Sequence, residues 1–273
     1  LNTYTIETPT LGTLTDFFAL HPDPVDVARR LPILRENIAS GRVRLENVLI
    51  LRSERGVEGT ALISAAPQVP VFPRFRPDVA PEGVTALALA LRDRAEPGRE
   101  LVLQDDLAPL DAAPVEAAGW VLQDEHVMYE TDLQARSHPL VPDAVEGGAE
   151  LRERPDIAAL MSTLGHADWE WAEGWTLVAL PNTSRQPIAL GAFGPSTRPG
   201  WANLNMIGAH PGARGQGIGT RLHAHLLARA AESFSMHGGG TEAENHAMRR
   251  IFEKNGSRHV ATQMYFRPAR LLS

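Results

Sequence analysis

The apolar positions of the chain fall into short runs whose spacing switches between helical and alternating. Near Pro24–Ile38, the residues Val27, Leu31, Leu34 and Ile38 recur at helical spacing and share one face. Val48–Leu51 and Gly59–Ser64 read as two short strands on either side of the turn Glu54-Arg55-Gly56. Pro67, Pro70, Pro73, Pro77 and Pro81 then break the pattern, because proline fixes its own φ and donates no backbone hydrogen bond. Helical spacing returns over Val84–Arg94. Leu101-Val102-Leu103 is a compact strand, Ala112–Ala118 a short helix, and Trp120–Tyr129 a strand that ends in Met128-Tyr129.

The polar stretch around Pro139, Pro142 and Gly147-Gly148 reads as a linker at 136–149, and after it the order repeats. Pro155–Leu164 is a helix, and Trp175–Leu180 and Pro187–Phe193 are strands about the turn Pro181–Gln186. Asn203–Ala209 is a strand. A helix from Thr220 to about Met236 follows, with Leu222, Leu226, Leu227, Ala230 and Phe234 on its buried stripe. A strand near Gly240–Glu244, a helix Ala247–Lys254 and a final strand His259–Phe266 containing Met264-Tyr265 complete the half. In both halves a strand pair, a long helix, a strand, a short helix ending in Gly (Gly119, Gly256) and a strand closing on Met-Tyr follow one another. The pattern predicts an α+β, mixed α/β, protein made of two similar domains, 1–135 and 150–273. Two unrelated α+β domains with the same element order are the other reading of it.

Composition narrows the function. A net charge of −7 removes the electrostatic footprint of a nucleic-acid binder and offers no broad attraction to an anionic membrane. The absence of cysteine excludes disulfides, thiolate metal sites and cysteine nucleophiles, and no metal is expected. No apolar run approaches the roughly 20 residues needed to span a bilayer. Leu1-Asn2-Thr3-Tyr4 lacks the basic start of a secretion signal. The expected compartment is the cytoplasm.

The informative stretch is Ala209-His210-Pro211-Gly212-Ala213-Arg214-Gly215-Gln216-Gly217-Ile218-Gly219-Thr220, where a strand runs through a glycine-rich turn straight into an amphipathic helix. Glycines let backbone N–H groups approach a phosphate, the helix start adds partial positive charge, and Arg214 adds a forked donor. A P-loop would need lysine after Gly217, where Ile218 stands. A dinucleotide fingerprint would need its third glycine at Thr220, and would open its domain instead of lying late in it.

Arg214-Gly215-Gln216-Gly217-Ile218-Gly219 resembles the Arg/Gln-x-x-Gly-x-Gly/Ala pyrophosphate signature of the GNAT superfamily of N-acetyltransferases. The stretch Asn245–Gly256 resembles that family's Asn-led helix, which ends in Gly after an aromatic residue. The resemblance covers roughly Glu150–Phe266. It implies two tandem GNAT-like domains, each a mixed, mostly antiparallel sheet flanked by helices, with acetyl-coenzyme A as co-substrate and an unidentified amine as acceptor. Met206, Ile207, Gly208 and Ala209 would face the pantetheine arm. Arg214, Gly215, Gln216, Gly217, Ile218, Gly219 and Thr220 would hold the pyrophosphate, and Asn245 and Phe252 would line the arm near the thioester. At the corresponding place the first half has Asp78-Val79-Ala80-Pro81-Glu82-Gly83-Val84, whose two acids and proline make a poor anion site, so the first domain is read as a degenerate copy.

Transfer to an amine needs a neutral nucleophile, hence a base, and a donor for the developing oxyanion, for which the backbone at Ile207–Ala209 is the candidate. Many family members carry Tyr as general acid where this chain has Phe252, and an acidic residue on the strand where it has Asn203 and Asn205. The remaining candidates are Glu242 and Glu244, alternating onto one face of their strand, and His166 with Asp168 and Glu170. Tyr265 is a spare hydroxyl. Trp169, Trp171, Trp175 and Trp201 are either core or an aromatic wall for an apolar or cationic amine. The expected function is an acyl-coenzyme A dependent N-acyltransferase, monomer or homodimer. A coenzyme A sensor and a non-catalytic scaffold are the alternatives.

Overall fold

The structure is a computed structural model that describes residues 3–269. Contacts divide the described chain into two units, residues 3–126 with 261–269, and residues 127–260.

The first unit begins with β1 (Thr5–Glu7) and helix α1 (Pro24–Ala39). Asp23 caps α1 by accepting from Val25 N–H at 2.8 Å, and Pro24 occupies a position where its missing N–H costs nothing. Strands β2 (Val48–Ser53), β3 (Gly56–Leu62) and β4 (Arg74–Phe75) complete an antiparallel sheet in the order β1-β2-β3-β4. Gly56, at φ 102°, supplies the left-handed residue that the β2–β3 turn requires. Helix α2 (Pro81–Arg94) buries Val84, Leu87, Ala88 and Leu91 against Leu49, Leu51, Ala61 and Phe75. Strand β5 (Leu101–Gln104), helix α3 (Ala112–Ala117) and the start of β6 (Trp120–Asp132) follow. The proline-rich stretch is ordered by a side chain that no motif marked. The buried guanidinium of Arg99 donates to the carbonyls of Ser64, Ala66 and Val69 at 2.6–2.9 Å, satisfying a segment that has few ladder bonds of its own.

The second unit takes up β6 at Val127. It continues through β7 (Val145–Gly147), α4 (Ala149–Arg152), α5 (Pro155–Thr163), β8 (Thr176–Pro181), β9 (Pro187–Pro195), β10 (Trp201–Ala209), α6 (Ile218–Ala230), β11 (Met236–Glu242), α7 (His246–Lys254) and the start of β12 (Arg258–Pro268). Its strands run in the order β6-β11-β10-β9-β8-β7, with β10 and β11 parallel. Helix α6 lays Leu222 and Leu226 on Val178, Leu180 and Ala189, while α5 packs Ile157, Leu160 and Met161 on Leu177, Ala179 and Ala192. The two helices therefore cover opposite, alternating faces of the same strands.

Three sequence expectations are corrected. The stretch read as a linker contains β7, which pairs with β8 and is tied down by His225: its Nδ1 accepts from Val141 N–H at 3.0 Å and its Nε2 lies 2.8 Å from Glu146. The long helix stops at Ala230, six residues early, and β11 starts at Met236 and ends at Glu242. Glycines at 238, 239 and 240 gave that strand no apolar alternation to read.

The third correction concerns the last strand of each copy. The Val127–Asp132 part of β6, which closes the first copy in sequence, lies beside β11 in the second unit. The end of β12 pairs with β5 in the first, from Gln263↔Gln104 to Phe266↔Leu101. Both strands close on the same Met-Tyr pattern, so nothing in their periodicity says which sheet each completes, and limits drawn at 135 and 150 miss the exchange.

Candidate active site

The chemistry is gathered where β10 runs into α6. Gly215 (φ 77°) and Gly217 (φ 74°) take left-handed conformations that a residue with a Cβ adopts only at a cost of ~1–2 kcal/mol. Gly217 is the N-cap of α6 and has no side chain to cap it, and the first turn of the helix carries no acid. The first-turn N–H groups of a helix have no partner within it, so this end presents bare donors and partial positive charge. Arg214 is exposed and folds its Nε toward Ala209 O at 3.3 Å.

Next to the turn, the sheet splits. Parallel pairing of β10 with β11 runs only from Trp201↔Met236 to Asn203↔Gly238, and pairing of β10 with β9 is interrupted between Asn205 and Gly208. At the interruption Met206 is buried at φ 55°, a left-handed conformation for a non-glycine residue, and its N–H is taken by Asn205 Oδ1 at 2.8 Å. Such strain persists only where the surroundings impose it. The split opens a cleft of about 700 Å³ that continues to the start of α6 and along α7.

The cleft brings together most of the expected cofactor residues: Met206, Ile207, Gly208, Ala209, Arg214, Gly215, Gly217, Ile218, Gly219, Thr220, Asn245 and Phe252 all line it. Gln216 does not and is exposed. Asn245 Oδ1 caps α7 by accepting from Met248 N–H at 3.1 Å. Arg250 and Lys254 line the same end from α7; their positive charge on a helix beside a phosphate-like site was the signal available in the sequence.

Of the acid–base candidates, His166 lines the cleft, and burial pushes its pKa below the usual imidazole value, which keeps it neutral and able to accept a proton. Glu242 and Glu244 do not line it. The strand ends at Glu242, so Glu244 stands in the following turn with its side chain 95% exposed, and the shared face expected for the pair does not form. Tyr265 lies in the first unit, where its hydroxyl donates to Gln263 Oε1 at 2.7 Å. Trp169, Trp171 and Trp175 pack edge to face at 5.6–5.8 Å on the α5 core, as structural residues do.

Behind the cleft, Phe252 is stacked between Tyr129 (4.5 Å, 8°) and His237 (6.2 Å, 16°), with His223 edge-on at 5.1 Å. Burial drives His223 down to about 3 and His237 to about 4, so both are neutral. Asn255 Nδ2 meets His223 Nδ1 at 2.9 Å, and Thr131 Oγ1 lies 3.2 Å from His237 Nδ1 and 2.7 Å from Ser257 Oγ. No group of three or more His, Asp or Glu side chains able to hold a metal occurs among the described residues.

A split parallel strand pair that opens beside a glycine-rich helix start places the second unit in the class of GNAT folds. Residues 148–257 match the model of the Acetyltransferase (GNAT) family. Among solved structures, a GCN5-related N-acetyltransferase from Sphaerobacter thermophilus is similar over 98% of this chain and 98% of its own, at 11% identity and a TM-score of 0.53. A GCN5-related N-acetyltransferase from Kribbella flavida is similar over 78% of this chain and 87% of its own, at 16% identity and a TM-score of 0.50. At these identities the likeness is one of fold. A search of curated protein sequences gives no match. No helix among the described residues is long and apolar enough to cross a membrane.

Proposed function

We propose that the second unit is an acyl-coenzyme A dependent N-acyltransferase, with acetyl-coenzyme A as co-substrate and an amine as acceptor. The observation that carries this reading is the uncapped, acid-free start of α6 opening into the split between β10 and β11. Arg214, Arg250 and Lys254 place three cations at the end of the cleft that would hold the phosphates, and Asn205, Gly240 and His166 lie toward the other end.

The co-substrate would supply the activated acyl thioester. The protein's part is to hold it, to exclude water and to take a proton. The amine nitrogen forms the new C–N bond as the C–S bond breaks, the amine proton passes to the neutral imidazole of His166, and the sulfur leaves as thiolate and is protonated by solvent. Phe252 has no proton to give, so no acid acts from that position. The peptide group at Ile207, outside both strand ladders just before Gly208 rejoins β9 opposite Leu190, is the donor for the developing oxyanion.

The test is calorimetric titration of acetyl-coenzyme A into the wild type and into an Arg214→Ala, Gly217→Asp double variant, followed by mass spectrometry of an amine panel. Micromolar binding that weakens at least a hundredfold in the variant is expected, since a left-handed aspartate at a helix start combines strain and charge repulsion. Absence of binding to the wild type would end the reading in favour of a scaffold; binding without transfer to any amine would favour a sensor.

A further inference from the structure

The open face of the second unit's sheet bears on the acceptor. Beyond the cleft, the floor of that face is made of Gly238 and Gly240 on β11. Trp201 lies over the first, 3.4 Å from where a Cβ would be, and Met128 over the second, at 2.6 Å. Exposed Asn203 and Asn205 flank the floor on the β10 side. On the other side stands β6. Gly240 faces Met128, and Leu133 N–H donates to Ser235 O at 2.9 Å, so two residues along each antiparallel strand Glu130 lies beside Gly238.

Glu130 is a carboxylate without a close partner. Its ion pair is with Arg258 at 3.7 Å, beyond hydrogen-bond length, and that arginine side chain is 76% exposed, a geometry that contributes little in water. One row separates Glu130 from Gly240 at the mouth of the cleft, about 7 Å along the strand. The exposed carboxylates of Asp168, Glu170 and Glu173 follow His166, which lines the cleft, in the segment before β8 and have no ion pair among the described residues, so they add negative charge on the side of His166. The cations of the cleft, Arg214, Arg250 and Lys254, sit at its other end. Arg198 lies over the Trp201 ring at 3.8 Å and Arg258 beside Glu130, so the four carboxylates Glu130, Asp168, Glu170 and Glu173 leave this end with a negative excess that favours a positive acceptor.

We propose that the acceptor is an amine with a second cationic centre, a short diamine being the simplest, and that Glu130, supplied by the final strand of the first copy, selects it. The proposal rests on the acyltransferase reading. Glu130 lies outside residues 148–257, so the specificity residue belongs to the half of the sequence that lacks the cofactor turn.

The test compares 1,4-diaminobutane with butylamine as acceptors for the wild type, Glu130→Gln and Glu130→Asp. The wild type is expected to prefer the diamine. In Glu130→Gln that preference, as a ratio of kcat/KM values, should fall at least tenfold through KM, and Glu130→Asp should restore part of it. Calorimetric titration of 1,4-diaminobutane into protein saturated with coenzyme A reads the same contact without turnover and should show the same loss. Equal use of the two amines by the wild type, or a diamine preference untouched in Glu130→Gln, overturns the proposal while leaving the acyltransferase reading intact. Failure to bind acetyl-coenzyme A, or to acylate any amine, overturns both. Thermal melts of the variants identify a loss due to misfolding, in which case Glu130→Asp carries the comparison.

Discussion

The turn from β4 into α2 and the turn from β10 into α6 occupy equivalent places in the two copies, and they have opposite electrostatics. In the first unit a strand of only two residues leads to Asp78, then to Pro81 and Glu82 at the helix start. The Asp78 carboxylate is held by Arg55 at 2.7 Å and Arg76 at 3.3 Å, and the hydrogen bond from Arg55 keeps it well below the usual carboxylate range. Fully buried Glu58 meets the same arginines at 2.8 and 3.8 Å. In the second unit a nine-residue strand splits from its neighbour, two glycines take left-handed conformations, and the helix start is left bare. The helices themselves pack alike, α2 through Leu87 and Leu91 and α6 through Leu222 and Leu226, all fully buried. Apolar faces preserve the frame, while a short turn decides whether the frame can accept an anion. At this turn Arg55 and Arg76 are taken up by Asp78 and Glu58 instead of standing free for a ligand.

The exchange of final strands is what most sharply separates the two copies as folded units from the two halves as sequence, and breaking it should have the largest effect. A fragment of residues 150–273 keeps every expected cofactor residue but loses β6, which leaves the edge of β11 unpaired and removes the ring of Tyr129 from Phe252. It should show no cooperative thermal transition by circular dichroism and no acetyl-coenzyme A binding, whereas a fragment beginning at Trp120 should recover both in part. A cooperative, binding-competent 150–273 fragment would show that β6 is dispensable.

Acid should separate the units next. The buried histidines among the described residues, His138, His223, His225 and His237, all lie in the second unit. The folded values of about 3 for His223 and about 4 for His237 lie below the ordinary 6.5, so the unfolded chain binds their protons first. Stability from these two groups is complete above about pH 6.5 and is lost as the pH falls through the window down to about 4, by roughly tenfold in the folding constant per histidine per pH unit. Tryptophan fluorescence follows it selectively, because Trp169, Trp171, Trp175 and Trp201 are in the second unit and Trp120 is in the first. A fluorescence midpoint that stays fixed between pH 7 and 5 would refute this, and a His223→Gln, His237→Gln pair should flatten the dependence.

The elements that the sequence disclosed best are those whose side chains alternate or recur. The stripe of α6, the glycine turn and the Asn245 cap were legible because each is a local pattern with one physical solution. Strand β11 was misplaced because three successive glycines carry no pattern, and with it Glu244 was put on a strand it does not reach. Glu130 and the Tyr129–Phe252 stack were invisible for a different reason: they depend on which sheet β6 joins, a choice between two strands with the same closing residues. Arg99 was missed because its partners are backbone carbonyls, which leave no trace in residue identity.

The smallest effect expected is also the one that isolates the turn. Asp78→Ala in the first unit removes one arm of an exposed ion network, with Arg55 39% and Asp78 61% exposed, while Glu58 still holds Arg55. Exposed pairs contribute little, so the melting temperature should move by no more than about 3 °C. Acetyl-coenzyme A should still bind at one site per chain, because Pro81 and Glu82 remain at the start of α2 and no glycine turn has been created. A second site appearing in the calorimetric stoichiometry of Asp78→Ala would mean that the first copy is a cofactor site closed by a single carboxylate, and that the frame alone, not the turn, confers the affinity.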